Sequence, residues 1–188
     1  MAGQSNDCNP DRPAIWLCHQ INRNLSQAPA WMTADEGETL ARLEGPRRQE
    51  YLPSRWLIRQ ALARASGEAP ASCNPVPGRP VASASPQGWH LSLSHSQGLT
   101  ACATGRSALG IDLEPSQRRA DWARVTTRWF TAVEQEWLLR ADDPFSFLKV
   151  WTLKEAWLKA TGRGIAGNLQ TLEVRKNFEL YGDQPDRH

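Results

Sequence analysis

From Thr33 to Gly67 apolar residues recur at three- and four-residue intervals, whereas from Trp89 to Leu113 they tend to alternate with polar ones. The switch from a helical to a strand period predicts helices followed by strands. Upstream, Ala14 to Ile21 reads as a buried strand, and residues 1–12 read as disordered. Thr33-Ala34-Asp35-Glu36 has the form of a capping box and opens a helix that ends near Gly45. Pro46 begins a longer helix reaching Gly67, a natural C′ residue, with a kink or restart expected at Pro53. Residues 69–88 hold five prolines among Ser and Gly and read as loop.

Trp89–Ser94, Leu99–Thr104 and Ser107–Glu114 follow as three short strands. The turns Ser96-Gln97-Gly98 and Gly105-Arg106 are short enough for antiparallel pairing. Beyond a Trp- and Arg-rich stretch over 116–129, Thr131 starts a short helix. Asp143-Pro144 caps a longer one ending at Gly162, and Thr171–Arg175 and Phe178–Tyr181 are strand-like. Each half thus runs strand, helix, helix, then two strands, with a seam near Arg106. Strands interrupted by helix pairs predict an α+β fold, a pseudo-two-fold pair of similar halves over 1–106 and 107–188.

Composition narrows the functional classes. At 188 residues the chain is one domain, or two small ones sharing a core. A formal net charge of +2 is too small by itself to argue for nucleic acid, and no nucleic-acid partner is expected. No apolar run approaches the ~18 residues of a membrane span, and Met1 to Pro13 lacks the apolar region of a secretory signal. Cys8, Cys18, Cys73 and Cys102 have neither zinc-ligand nor disulfide-framework spacing, so a reduced, cytoplasmic setting is expected. Nine Trp against two Tyr and four Phe predict a Trp-rich core.

Candidate chemistry gathers in the second half. If Gly110-Ile111-Asp112-Leu113-Glu114 is extended, Asp112 and Glu114 share one face. In Trp151-Thr152-Leu153-Lys154-Glu155-Ala156-Trp157-Leu158-Lys159, Glu155 and Lys159 are one helical turn apart. Asp112, Glu114 and Glu155 make a hard oxygen set suited to Mg²⁺, and Lys159 adds an ammonium for phosphate. That combination suggests phosphoryl transfer. In the first half, Ser94 and His95 close a strand where hydroxyl and imidazole are both able to donate to phosphate. Arg48, Arg55 and Arg59 have roughly helical spacing and make a cationic stripe. Glu134, three residues after Thr131, is either a capping-box residue or a neighbour of the metal site. Gly78-Arg79-Pro80 by itself is a turn.

In order and spacing, these segments resemble the surfactin-type 4′-phosphopantetheinyl transferases, over roughly Arg47 to Gly164. Trp151 with Lys154-Glu155-Ala156 is similar to the subgroup carrying tryptophan and Lys-Glu-Ala. The resemblance implies an enzyme that moves the 4′-phosphopantetheine arm of coenzyme A to a serine of an apo acyl or peptidyl carrier protein, releasing adenosine 3′,5′-bisphosphate. It implies a monomeric pseudo-dimer whose first half faces the 3′-phosphate and adenine while the second carries the metal, the catalytic groups and the carrier. It assigns Asp112, Glu114 and Glu155 to Mg²⁺, or to Mn²⁺ in its place, and Lys159 to the pyrophosphate. Arg48, Arg55, Arg79, Pro80, Ser94 and His95 fall on the coenzyme A side, with Asp112 also near that ligand. Glu155, directly or through a water, is the first candidate for the base that deprotonates the serine, and Glu134 the second. The carrier is expected on the stretch holding Arg118, Arg119, Trp122, Arg124 and Arg128. Fatty-acid, polyketide and nonribosomal-peptide carriers all remain open. Two other classes stand beside this reading: a non-catalytic module binding coenzyme A or a carrier, and a DnaQ-like Mg²⁺-dependent exonuclease.

Overall fold

The computed structural model describes residues 12–19, 29–76, 82–117, 121–163 and 169–182. The chain divides into two compact units, 1–109 and 110–188, each with helices and antiparallel strands.

In the first unit the alternating segments become a five-stranded sheet ordered β1-β5-β4-β3-β2. These strands are β1 (Ala14–His19), β2 (Asn74–Val76), β3 (Ala82–Ser85), β4 (His90–Ser96) and β5 (Leu99–Gly105). The β4–β5 turn places Gln97 and Gly98 at φ 47° and 78°. Two left-handed residues in succession suit the right-handed twist of a tight hairpin. Helices α1 (Ala34–Arg42) and α2 (Gly45–Ser66) complete the unit. Leu57, Ile58, Ala61 and Leu62 of α2 join Leu91 and Cys102 of the sheet in one core, with Trp16, Cys18 and Leu93 against it.

Three expectations need correction here. Strand β1 is not buried on both faces: Ile15 and Leu17 are 65% and 62% exposed, because only the alternate residues Trp16 and Cys18 face the core. The proline-rich stretch is not all loop, since it contains β2 and β3. Pro75 is accommodated because β2 is a sheet edge and its register shifts between Asn74 and Pro75. Helix α2 does not restart at Pro53 but runs through it, and the neighbouring Ser54 hydroxyl donates to the Glu50 carbonyl at 2.6 Å.

The second unit contains α3 (Trp122–Trp129), α4 (Ala132–Ala141), α5 (Pro144–Thr161) and a hairpin of β6 (Leu172–Val174) and β7 (Leu180–Gly182). Phe130, Leu138, Phe147, Val150, Leu172 and Val174 form its core, and Trp122, Trp129, Trp137, Trp151 and Trp157 pack against it. Residues 107–115 are not a strand, and Gly105-Arg106 closes no hairpin. From Gly110 onward this segment lies against helix α5 instead of pairing in a sheet.

Both units use one device to join consecutive helices. Glu36 caps α1 by accepting the Thr33 N–H at 3.0 Å, and its carboxylate also receives both terminal nitrogens of buried Arg59 from α2, at 2.6 and 3.1 Å. Glu134 caps α4 by accepting the Thr131 N–H at 2.8 Å, and it pairs with buried Lys154 of α5 at 2.7 Å. In each case a capping carboxylate neutralises a cation that would otherwise be buried alone.

Candidate active site

Helix α5 carries the centre of the second unit. It starts cleanly because the Asp143 carboxylate accepts the N–H groups of Phe145 and Ser146, each at 3.0 Å, and it stops at Gly162, whose φ is 68°. Trp151, Glu155 and Lys159 fall at successive four-residue steps and so form one stripe along the helix. The segment 110–114 lies beside that stripe. A Cβ at Gly110 would come within 1.7 Å of the Ala156 carbonyl oxygen and 2.8 Å of the Ala160 nitrogen, so only glycine permits this approach. Beyond it, the Lys159 ammonium donates to the Ile111 carbonyl at 3.0 Å and to Asp112 Oδ1 at 2.8 Å. The Trp151 indole N–H donates to Glu114 Oε1 at 3.0 Å. The donors that hold these two carboxylates lie one turn to either side of Glu155, which is itself buried.

Among the described residues no group of three or more His, Cys, Asp or Glu is gathered around a point that could hold an ion. Of the expected trio, Glu155 lies on the helix stripe, while Asp112 and Glu114 lie on the neighbouring segment and accept from Lys159 and Trp151. The donor set is nevertheless of the right kind: carboxylates alone, without sulfur or imidazole, suit a hard divalent cation.

Glu134 does not belong to this group. It has no solvent exposure, and its oxygens serve the α4 cap, Lys154 and the Val174 N–H at 2.7 Å. A carboxylate so enclosed is not positioned to take a proton from an incoming hydroxyl, which corrects its candidacy as second base. Lys154 in turn donates to the carbonyls of Leu169 and Leu172. Burial pushes its pKa below the ordinary lysine value, against the pull of Glu134.

The phosphate-side candidates separate in the first unit. Ser94 and His95 are consecutive in a regular strand, so their side chains point to opposite faces of the sheet and do not converge on one phosphate. Ser94 is buried, whereas the His95 side chain is 49% exposed and its Nδ1 lies 3.2 Å from Glu50 Oε2 of α2. The cationic stripe also divides. Arg59 is committed to Glu36, Arg48 donates to the Leu40 carbonyl at the end of α1, and the Arg55 guanidinium stacks 4.8 Å from the Tyr51 ring centroid. Arg79 and Pro80, like Arg118 and Arg119, lie outside the described residues. In the expected carrier surface, Trp122 and Trp129 pack against the core, leaving Arg124 and Arg128 exposed on α3.

Two partners escaped the sequence reading. Trp151 enters there only as a subgroup marker, although its place one turn before Glu155 was a signal for a role beside the carboxylates. Glu50 carries no sequence signal at all, because its partner is 45 residues away on a strand. A cavity of about 720 Å³ in the second unit, lined by Val133, Trp137, Arg140 and Arg175, includes none of the candidate carboxylates.

Comparison with known proteins agrees with this division of the chain. Residues 35–105 match the model of the 4′-phosphopantetheinyl transferase N-terminal domain, and residues 108–182 match that of the 4′-phosphopantetheinyl transferase superfamily. The chain is 32% identical over 165 residues to 4′-phosphopantetheinyl transferase HetI of Nostoc sp., covering 82% of this chain and 69% of that protein. It is 31% identical over 126 residues to a 4′-phosphopantetheinyl transferase of Bacillus subtilis, with 63% and 54% covered. Against 4′-phosphopantetheinyl transferase Sfp of Bacillus subtilis it is 28% identical over 104 residues, covering 53% and 46%. No helix among the described residues is long and apolar enough to cross a membrane.

Proposed function

The chain belongs to the 4′-phosphopantetheinyl transferase family, enzymes that move the phosphopantetheine arm of coenzyme A onto carrier proteins, and on that premise we propose how its own residues perform the transfer. The exonuclease and non-catalytic alternatives give way to this assignment.

The observation that carries the proposal is the pair of hydrogen bonds, Trp151 to Glu114 and Lys159 to Asp112, one turn on either side of Glu155. They tie Asp112 and Glu114 to the helix stripe that carries Glu155 and Lys159. Asp112, Glu114 and Glu155 are the groups we assign to Mg²⁺, which when bound would neutralise charge on the pyrophosphate. Lys159 adds a positive charge for the same group, exchanging its contact with Asp112 for one with phosphate oxygen. The serine hydroxyl of the carrier forms a new bond to the phosphorus that bears the pantetheine arm. The bridging P–O bond of the pyrophosphate breaks, and adenosine 3′,5′-bisphosphate departs with the electron pair. Glu155 receives the serine proton, directly or through a water.

His95, Arg55 and Arg79 are the groups we assign to the 3′-phosphate, without the Ser94 side chain. Arg124 and Arg128 of α3 offer charge to an acidic carrier surface, and charge of this kind raises the encounter rate more than the final affinity. Incubating the protein with coenzyme A, Mg²⁺ and an apo carrier tests the proposal through stoichiometric release of adenosine 3′,5′-bisphosphate and a matching mass increase on the carrier. Modification that proceeds equally well without a divalent ion would contradict it.

A further inference from the structure

Strand β4 ends in a tight hairpin with Gln97 and Gly98 both in left-handed conformations, and His95 pairs with Thr100 just before that turn. The backbone that carries the imidazole is thus fixed by the ladder, but the ring itself is half in solvent. A half-exposed imidazole without a partner samples several rotamers. This one has a partner: Glu50 of α2 places Oε2 3.2 Å from Nδ1, and the Glu50 side chain is 28% exposed.

We propose that Glu50 is a positioning residue for His95, holding the imidazole through Nδ1 so that Nε2 is presented to the 3′-phosphate of coenzyme A. The proposal rests on the assignment of His95 to that phosphate. An ionised carboxylate is an acceptor only, so Nδ1 carries the proton and the two ring nitrogens take distinct roles. Nε2 then meets the ligand and, in the imidazolium form, donates to it. The obvious objection is charge, because Glu50 and the phosphate repel one another. They are separated by the width of the ring in a solvent-exposed setting where such repulsion is screened, whereas a charge-assisted hydrogen bond acts at contact. The direct bond therefore outweighs the repulsion, and removing Glu50 weakens the binding of coenzyme A.

The test uses Glu50→Ala, Glu50→Gln and His95→Ala with the full chain and an apo carrier. Alanine is a good helix former, so the first exchange leaves α2 intact. The Michaelis constant for coenzyme A rises about five- to tenfold in Glu50→Ala, as expected for loss of an orienting charged contact, while kcat holds. The constant for dephospho-coenzyme A, which lacks the 3′-phosphate, stays at its wild-type value. Glu50→Gln keeps an acceptor for Nδ1 and falls between the two. Long-range ¹H–¹⁵N spectra, with the His95 signals identified from their loss in His95→Ala, show the Nδ1–H tautomer in the neutral ring of the wild type and lose that preference in Glu50→Ala. A Glu50→Ala enzyme that binds coenzyme A as well as or better than wild type, while His95→Ala is impaired, overturns the positioning role alone. A His95→Ala enzyme that still prefers coenzyme A over dephospho-coenzyme A to the wild-type degree overturns the phosphate assignment, and the proposal with it.

Discussion

Two buried or nearly buried glutamates of the second unit, Glu134 and Glu155, are assigned opposite tasks on the strength of their surroundings. Glu134 faces a capped N–H, an ammonium and a strand N–H, all fixed within the fold. Replacing it by Gln leaves Lys154 buried without its counter-charge, and breaking such a pair costs roughly 3–5 kcal/mol. Glu134→Gln should therefore lower the chemical-denaturation midpoint sharply, while the folded fraction turns over at near the wild-type rate. Glu155→Gln should do the reverse, with kcat falling on the order of a hundredfold or more and stability within about 1 kcal/mol of wild type. Equal loss of stability in both variants would place Glu155 among the structural groups. The thiols offer a simpler check on packing. Burial pushes the Cys102 pKa up to about 12 and raises that of Cys73, whereas Cys18 is partly exposed. In a Cys8→Ser background at pH 8, a thiol reagent should label one cysteine in the native protein and three after denaturation.

At the scale of elements, the segment 110–114 is the part most sensitive to a single methyl group. Gly110→Ala must push the segment from α5, because the added carbon would overlap the Ala156 carbonyl. We expect a stability loss of about 2–3 kcal/mol, typical of overpacking, together with most of the activity, since Asp112 and Glu114 move with the backbone. Differential scanning calorimetry and the transfer assay measure the two effects, and an active Gly110→Ala enzyme of normal stability would rule out this packing. The α5 N-cap gives a pH dependence. The Ser146 hydroxyl, followed by the Phe145 N–H, holds the Asp143 carboxyl below its ordinary value of 3.8. The charged form is favoured in the folded state, so its contribution is fully present above that value and fades as pH falls through the lower, folded pKa. The Tm difference between wild type and Asp143→Ala should be constant near pH 6 and shrink below pH 3.8.

Elements with local signals could be read from the sequence: the two capping boxes, the glycines that end α2 and α5, and the β4–β5 turn. The alternation over 107–114 predicted a strand that does not form, because a period of two says nothing about what lies beside the backbone. Here it is a helix. Strands β2 and β3 were hidden because proline marks breaks and edges equally well. In the site, four-residue spacing on α5 revealed Glu155 and Lys159. By contrast, the opposite faces of Ser94 and His95, the enclosure of Glu134 and the Glu50 contact depend on pairings distant in the chain.

At the scale of the molecule, each unit matches its own family model and uses the same capping carboxylate to neutralise a buried cation, Arg59 in one and Lys154 in the other. The first unit supplies the groups we assign to the coenzyme's 3′-phosphate, and the second supplies the carboxylates and lysine we assign to the reaction. The central claim is that Asp112, Glu114 and Glu155 act together with a divalent cation at the pyrophosphate. Its most direct test is the rate of adenosine 3′,5′-bisphosphate release with coenzyme A and an apo carrier, measured across a Mg²⁺ titration for wild type and Asp112→Ala. We predict saturable Mg²⁺ activation of the wild type, complete loss on chelation, and an Asp112→Ala enzyme that is folded but at least a hundredfold slower at the same Mg²⁺ level, about 2.7 kcal/mol of lost transition-state stabilisation or more. Near-normal turnover by Asp112→Ala, or a wild-type rate indifferent to chelation, would contradict the account.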